Sequence, residues 1–145
     1  LRQVTFIPES KRLNILLKEF KNNRNHMAIV LNEYGGVAGL VTIEDVIEEI
    51  FGDIEDEHDK EDWLEERLSD TEFLFAARVD IDYIRKNYGI DLPESDEYDT
   101  LGGLIIYRLE RIPLEKTTLS IDDSLQLVIE EVSERRIEKV RIILS

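Results

Sequence analysis

The chain has 145 residues, 42% of them hydrophobic, and a formal net charge of -15. That hydrophobic content is enough for a packed core, and the length suits one ordinary domain or two small ones. The negative charge argues against a nucleic-acid partner, because phosphate contacts need clustered lysines and arginines. Because the sequence has no cysteine, it excludes disulfides, thiolate metal sites and a cysteine nucleophile.

The beginning of the chain, LRQVTFIPESKR, lacks the apolar segment of a signal peptide, and no apolar run is long enough to cross a bilayer. The first residue is not a methionine. We therefore expect the chain to be a piece of a longer protein.

The first fifty residues predict the order β-α-β-β-α. VTFI predicts a strand that ends near Pro8, and Ser10 is the expected N-cap of the helix that follows. HMAIVL and VAGLV predict a strand hairpin around NEYGG, where Gly35 and Gly36 can adopt positive φ. Two segments have apolar residues at helical spacing: Leu13, Leu16, Leu17 and Phe20, and then Ile43, Val46, Ile47, Ile50 and Phe51.

Residues 53–62 form a strongly acidic segment with a single lysine. Its carboxylates are those of Asp53, Glu55, Asp56, Glu57, Asp59, Glu61 and Asp62. A calcium-binding EF-hand frame fails here, because His58 and Leu64 stand where a glycine and a glutamate are needed. A run of like charges is usually solvated, so we predict an acidic linker and no metal site.

The residues after the linker predict the order β-β-α-α-β-β-β, a two-layer α+β sandwich. Asp80 and Thr100 are the expected N-caps of the two helices, and Gly89 is expected to close the first. IDLPESDEYD, between the helices, is predicted to be a polar loop. The last three strands are predicted at TTLSI, LQLVIEEV and RIEKVRIIL.

The strand-to-helix corner at Thr42 and Asp45 admits two interpretations. The spacing is that of a capping box, in which each side chain accepts a hydrogen bond from the other residue's amide and stabilises the helix by about 1 kcal/mol. The same helix N-terminus, with free amides and a partial positive charge, could receive a phosphate. Asp45 could then accept from ribose hydroxyls, and Gly39 would let a ligand approach the backbone. The two interpretations are compatible.

The segment HMAIVLNEYGGVAGLVTIEDVIEEIFGDIEDEHD strongly resembles the second CBS motif of the CorC/HlyC family of magnesium and cobalt efflux proteins, also called hemolysin-like or CNNM-type transporters. DTLGGLIIYRLERIP and ERRIEKVRI resemble that family's C-terminal transporter-associated domain. The resemblance implies a CBS motif over residues 1–52, the acidic linker over 53–62, and the transporter-associated domain over 63–145. That second domain's fold is related to flavin-binding domains of the PCMH type.

The resemblance also implies a nucleotide site and its partners. Thr42 would face phosphate and Asp45 ribose, while Ile7, Pro8, Met27 and Ala28 would flank adenine through backbone groups and apolar contact; Gly39 completes the motif. The ligand would be ATP or AMP in a regulatory role. CBS motifs work in pairs, so we expect a homodimer through the CBS motifs or a partner motif upstream. A membrane-embedded domain of the parent chain would carry the ion, with this part on the cytoplasmic face of the bacterial inner membrane.

The function expected on these grounds is regulation of a divalent-cation efflux transporter. The alternative is a dimerisation or assembly module without a working ligand site. We do not expect an enzyme, because no nucleophile, acid–base pair or cofactor motif is present. His26 and His58 are given structural or surface roles, and without a glycine-rich pyrophosphate loop FAD binding is not predicted.

Overall fold

The computed structural model of the protein describes residues 5–51, 64–133 and 136–145. The linker predicted at residues 53–62 therefore lies outside the described residues. We call residues 5–51 the N-terminal module, and residues 64–133 with 136–145 the C-terminal module. Both have the order of helices and strands predicted above, in a mixed α+β fold.

The N-terminal module is a three-stranded sheet with two helices. Its elements are β1 (Thr5–Pro8), α1 (Leu13–Asn23), β2 (Met27–Leu31), β3 (Val37–Thr42) and α2 (Ile43–Phe51). In the sheet order β1-β2-β3, β1 is parallel to β2 and β2 is antiparallel to β3. The sheet residues Ile7 and Ala28 are buried, together with the helical residues Leu17 and Val46. The helices thus cover one face of the sheet, as the period of the apolar residues predicts.

Two local predictions in this module are wrong in detail. The N-cap of α1 is Arg12, without a side-chain cap hydrogen bond. Ser10 instead lies in a turn in which the Lys11 amide donates to the Pro8 carbonyl at 3.1 Å. This turn connects the end of β1 to the start of α1. At the hairpin, Gly35 has φ +82° whereas Gly36 is not in the positive-φ region, since this turn requires one left-handed residue.

The C-terminal module packs two helices on a five-stranded antiparallel sheet. Its elements are β4 (Glu65–Arg67), β5 (Glu72–Ala76), α3 (Ile81–Tyr88), α4 (Leu101–Leu109), β6 (Thr118–Asp122), β7 (Leu125–Ser133) and β8 (Arg136–Leu144). The sheet order is β4-β5-β8-β7-β6, so the last strand lies in the middle. Every second residue of β7 from Leu125 to Ile129 is buried, as expected for a strand with one covered face.

The helix ends of this module follow the predictions with one exception. The Thr100 hydroxyl accepts from the Gly103 amide at 3.0 Å, and Gly89 closes α3 with φ +65°. Asp80 occupies the N-cap position of α3, but its side chain makes no cap hydrogen bond. Partial burial, followed by the nearby charges of Asp99 and Asp82, raises the pKa of Asp80. The carboxylate therefore lies in an unfavourable environment that a cap bond does not relieve.

The loop between α3 and α4 is not the polar loop that its charges suggested. Ile90, Leu92 and Tyr98 are buried in it. They belong to one hydrophobic cluster that contains the buried residues of both modules, and α2 packs directly against α4. The two modules therefore share a core, because the loop and α4 supply apolar surface that α2 covers.

Candidate nucleotide corner

Thr42 and Asp45 form the predicted capping box. The Thr42 amide donates to Asp45 Oδ2 at 3.1 Å, and the Asp45 amide donates to Thr42 Oγ1 at 3.2 Å. Asp45 is exposed to solvent and Thr42 is partly exposed. The corner thus has two polar side chains at the start of a helix, where the helix dipole favours negative charge.

Two strands and a helix meet at this corner. Thr42 is the last residue of β3, pairs with Met27 at the start of β2, and is followed directly by α2. The Ile43 amide donates to the His26 carbonyl at 3.0 Å, which ties the first residue of α2 to the residue just before β2. The start of β2, the end of β3 and the start of α2 are therefore held together by backbone hydrogen bonds.

The register of the sheet separates the seven predicted site residues into two groups. Met27, Ala28, Thr42 and Asp45 lie at the corner. The β1 residue Pro8 pairs with Leu31, three positions beyond Ala28, which is roughly 10 Å along the strand. Ile7 of β1 and Gly39 of β3 both pair with Val30 of β2, one on each side of it. Both residues therefore lie between the corner and Pro8.

Burial limits how these residues could meet a ligand. Ala28 is 1% exposed and Ile7 is 6% exposed, so their side chains face the core and only their backbone groups could contact a ligand. Met27 is exposed. A Cβ atom placed on Gly39 would find no heavy atom within 4 Å, so the space before this backbone is open.

A cavity of about 620 Å³ adjoins the corner, between the two modules. The N-terminal module contributes His26, Met27, Thr42, Ile43 and Glu44, and the C-terminal module contributes Ser95, Asp96, Glu97 and Tyr107. Met27 and Thr42 are the predicted site residues among them. Among the described residues, the lining holds three carboxylates and no lysine or arginine, so it suits hydrogen-bond donors and cations better than bare phosphate.

Glu97 joins the two sides of this cavity. Its carboxylate lies 3.1 Å from Nδ1 of His26. Burial, together with a hydrogen bond to Glu97, raises the pKa of Tyr107 to about 12. Neither Glu97 nor Tyr107 is among the site residues predicted from the sequence. The available signal was the group of apolar residues in IDLPESDEYD, which is typical of a loop that packs rather than one that is solvated.

Neither a metal centre nor a membrane span is found in the part of the chain that the structure describes. Within residues 5–51, 64–133 and 136–145, no three His, Asp or Glu side chains converge as ligands for a metal ion. Among those same residues, every helix is too short or too polar to cross a bilayer.

Comparisons with known proteins follow the division into two modules. The sequence pattern of the CBS domain matches residues 1–52, and that of the transporter associated domain CorC_HlyC matches residues 66–145. The magnesium and cobalt efflux protein CorC of Escherichia coli K12 is 42% identical over 143 residues, which is 98% of this chain and 48% of that protein. The chain thus spans less than half the length of this curated relative.

Solved structures agree for the C-terminal module. The transporter associated domain CorC_HlyC from Nitrosomonas europaea has a TM-score of 0.50 at 26% identity, covering 57% of this chain and 96% of that one. A hemolysin domain from Enterococcus faecalis V583 has a TM-score of 0.50 at 30% identity, covering 56% of this chain and 96% of that one.

None of these relatives is named as an enzyme. The CorC_HlyC match extends over more than half of the chain. The order of the two matches, CBS domain first, is also the order of the two modules in the fold. The chain therefore belongs to the family of the transporter associated domain CorC_HlyC, here preceded by a CBS domain.

Proposed function

We propose that this chain is a cytosolic regulatory part of a divalent-cation efflux transporter, and that its CBS domain senses an adenine nucleotide. The relative with which it shares 42% identity is named a magnesium and cobalt efflux protein. In the proposal, the ion passes through a membrane-embedded domain of the parent chain, and this part lies at the cytoplasmic face of the bacterial inner membrane.

The observation that carries the nucleotide proposal is the Thr42–Asp45 corner beside an open cavity. The corner offers a hydroxyl, a carboxylate and the amides of a helix N-terminus. The carboxylates that line the cavity suit the hydroxyl and amino donors of adenosine. A phosphate is better placed on the amide side of the corner, away from Asp96 and Glu97, since like charges repel. ATP or AMP is the proposed ligand.

The second proposed partner is another copy of this chain. Phe6 pairs with Ile29 and Ile29 with Leu40, so the three side chains form one row across the three strands. This row lies on the face of the sheet opposite the buried Ala28, and Phe6 and Leu40 are 58% and 64% exposed. An apolar row on an uncovered sheet face is typical of an interaction surface, and the same face on a second copy would cover it.

Regulation requires that the nucleotide prefer one arrangement of the paired CBS motifs over another. A ligand shifts a conformational equilibrium only by its difference in affinity for the two states. We therefore expect nucleotide binding and dimerisation to be coupled, with the tighter-binding dimer geometry favoured when nucleotide is present.

Calorimetric titration of ATP and of AMP into the chain tests the proposal. Asp45→Ala should lower the affinity roughly tenfold, because a charge-assisted hydrogen bond to the ligand is lost. Thr100→Ala is the matched control, since it removes the N-cap acceptor of α4, also at a cost of about 1 kcal/mol, without touching the corner. Its affinity should equal that of the unsubstituted chain.

The alternative function is assembly without a ligand, which the same apolar row favours. It predicts a dimer that neither nucleotide binds to or alters. If the dimer forms but ATP and AMP produce no heat of binding, the sensing proposal is wrong and the assembly function remains. An equal loss of affinity in Asp45→Ala and Thr100→Ala would show that stability, and not the corner, determines binding.

A further inference from the structure

The apolar contact between the modules is made by α2 and α4. Ile47 of α2 is 2% exposed. A Cβ atom placed on Gly103 of α4 would lie 3.7 Å from Ile47 Cγ2 and 3.0 Å from Tyr98 Cβ. The distance to Ile47 is that of an ordinary van der Waals contact, so Ile47 of one module packs directly against the backbone of α4 in the other.

Lys21, at the end of α1, reaches across to the last turn of α4. Its ammonium donates to the Tyr107 carbonyl at 2.5 Å and lies 3.2 Å from the Glu110 carboxylate. It also lies 4.5 Å from the centre of the Tyr107 ring. The last carbonyls of a helix lack partners within the helix and carry partial negative charge. Lys21 therefore caps the C-terminus of a helix in the other module.

A third contact involves the loop before α4. His26, just ahead of β2, lies 3.1 Å from Glu97. Three separate parts of the N-terminal module thus contact the C-terminal module: the end of α1, the start of β2 and the body of α2. Three separate contacts fix the orientation of one module relative to the other, whereas a single contact would permit the modules to rotate about it.

We infer that the CorC_HlyC domain is docked on the CBS domain as a permanent partner, and that this surface, not the acidic linker, holds the two together. The surface is built from α1 and α2 on one side and from α4 with its preceding loop on the other. One consequence rests on the proposed nucleotide function: a ligand at the Thr42 corner would contact the start of α2, the helix that packs against α4.

Cutting the linker tests the inference without changing the surface. A protease site placed within residues 53–62 of the full chain is cleaved after folding, and sedimentation velocity follows the two pieces through a dilution series. We expect them to sediment together at about 10 µM, where an interface with a micromolar Kd still holds most of the complex. Separation of the unsubstituted pieces at that concentration would overturn the inference.

A charge reversal provides the specific readout. Lys21→Glu places a carboxylate against Glu110 and the Tyr107 carbonyl, and should raise the Kd of the cleaved pieces roughly tenfold or more. Lys18→Glu, with the same charge change at an exposed position of the same helix, should change it less than about twofold. Equal effects of the two variants would show that Lys21 does not act at the surface.

A substitution on the C-terminal side of the docking surface tests the same ion pair if Lys21→Glu fails to fold. Glu110→Lys places two ammonium groups together and should also raise the Kd, whereas Glu115→Lys, at an exposed site, should not. Sedimentation reports whether the two pieces stay together in the absence of any nucleotide. Failure of the docking surface and failure of nucleotide sensing are therefore separate results.

Discussion

At the scale of single residues, Glu65 accepts hydrogen bonds that its position in a short edge strand does not predict. The Tyr83 hydroxyl donates to Glu65 at 2.8 Å and the Tyr88 hydroxyl at 2.6 Å. Both tyrosines belong to α3, whereas Glu65 begins β4. The hydrogen bond to Glu65, with some desolvation, raises the pKa of Tyr88 to about 12. One carboxylate thus fastens the first strand of the domain to a helix.

This arrangement predicts a loss of stability at alkaline pH. The folded state holds the Tyr88 proton more tightly than the unfolded state, where the pKa is near 10. The stabilisation is complete below pH 10 and disappears as the pH rises towards 12. Tyr88→Phe should cost about 1 kcal/mol at about pH 8 and make the decline above pH 10 shallower, as measured by urea unfolding.

Tyr34→Phe is the control for that measurement, because Tyr34 is 89% exposed. It should leave both the stability near neutral pH and the alkaline decline unchanged. If the free energy of unfolding declines equally steeply with alkaline pH in Tyr88→Phe and in the unsubstituted chain, groups other than Tyr88 cause the pH dependence.

At the scale of elements, α4 is buried over its first six residues. Its residues from Leu101 to Ile106 are buried, including two glycines. The sheet of its own module lies on one side and α2 on the other. A helix buried on every side needs small residues where neighbours come close, which explains glycine in a helix at the expense of helix propensity.

Gly103→Ala tests this explanation. Alanine favours a helix over glycine by about 1 kcal/mol, but its Cβ would lie 3.0 Å from Tyr98 Cβ and 3.2 Å from Thr100 Oγ1. Overpacking of this kind costs about 1–3 kcal/mol, so we expect a net loss of about 1 kcal/mol in urea unfolding. Gly39→Ala, which meets open space, should be close to neutral. A more stable Gly103→Ala would contradict the close contact.

At the scale of the whole molecule, the described residues share one hydrophobic core, and among them one apolar face of the three-stranded sheet is exposed. Within the described part of the chain, the C-terminal module packs against α2, and Phe6 and Leu40 are exposed on the opposite face of the three-stranded sheet. The corner at Thr42 lies between these two surfaces. A second copy on the open face and the docked domain on the other would both contact the elements that form the corner.

Dimerisation is the prediction at this scale. Leu40→Lys should convert the dimer to a monomer in sedimentation velocity, because it places a charge within the apolar row. Leu114→Lys is matched to it, since Leu114 is an exposed leucine of the C-terminal module and should leave the dimer intact. A chain that stays monomeric up to about 100 µM would exclude the sheet face as a self-association surface.

Local patterns in the sequence were enough to predict the order of elements and the capping box, and the resemblance of its motifs to CorC/HlyC proteins predicted the family. The order of elements and the capping box follow from local rules: apolar residues at period two or period 3.6 predict strands and helices, and capping distances are fixed by helix geometry. The cap prediction at Ser10 was wrong, because Ser10 lies in a turn ahead of α1, whereas Asp80 occupies its predicted N-cap position without a side-chain cap hydrogen bond. The seven predicted nucleotide-site residues stay a prediction.

How the two modules pack against each other could not be predicted from local patterns, because it depends on the folded structure. Nothing in the spacing of Lys21, Glu97 or Tyr107 relates them, because Lys21 is distant in sequence from the other two and belongs to a different module. Their contacts exist because α2 and α4 bury apolar surface against each other, and that burial brings the polar groups within reach. The register likewise set Pro8 apart from the Thr42 corner, since strand pairing and not sequence motif fixes position along a sheet.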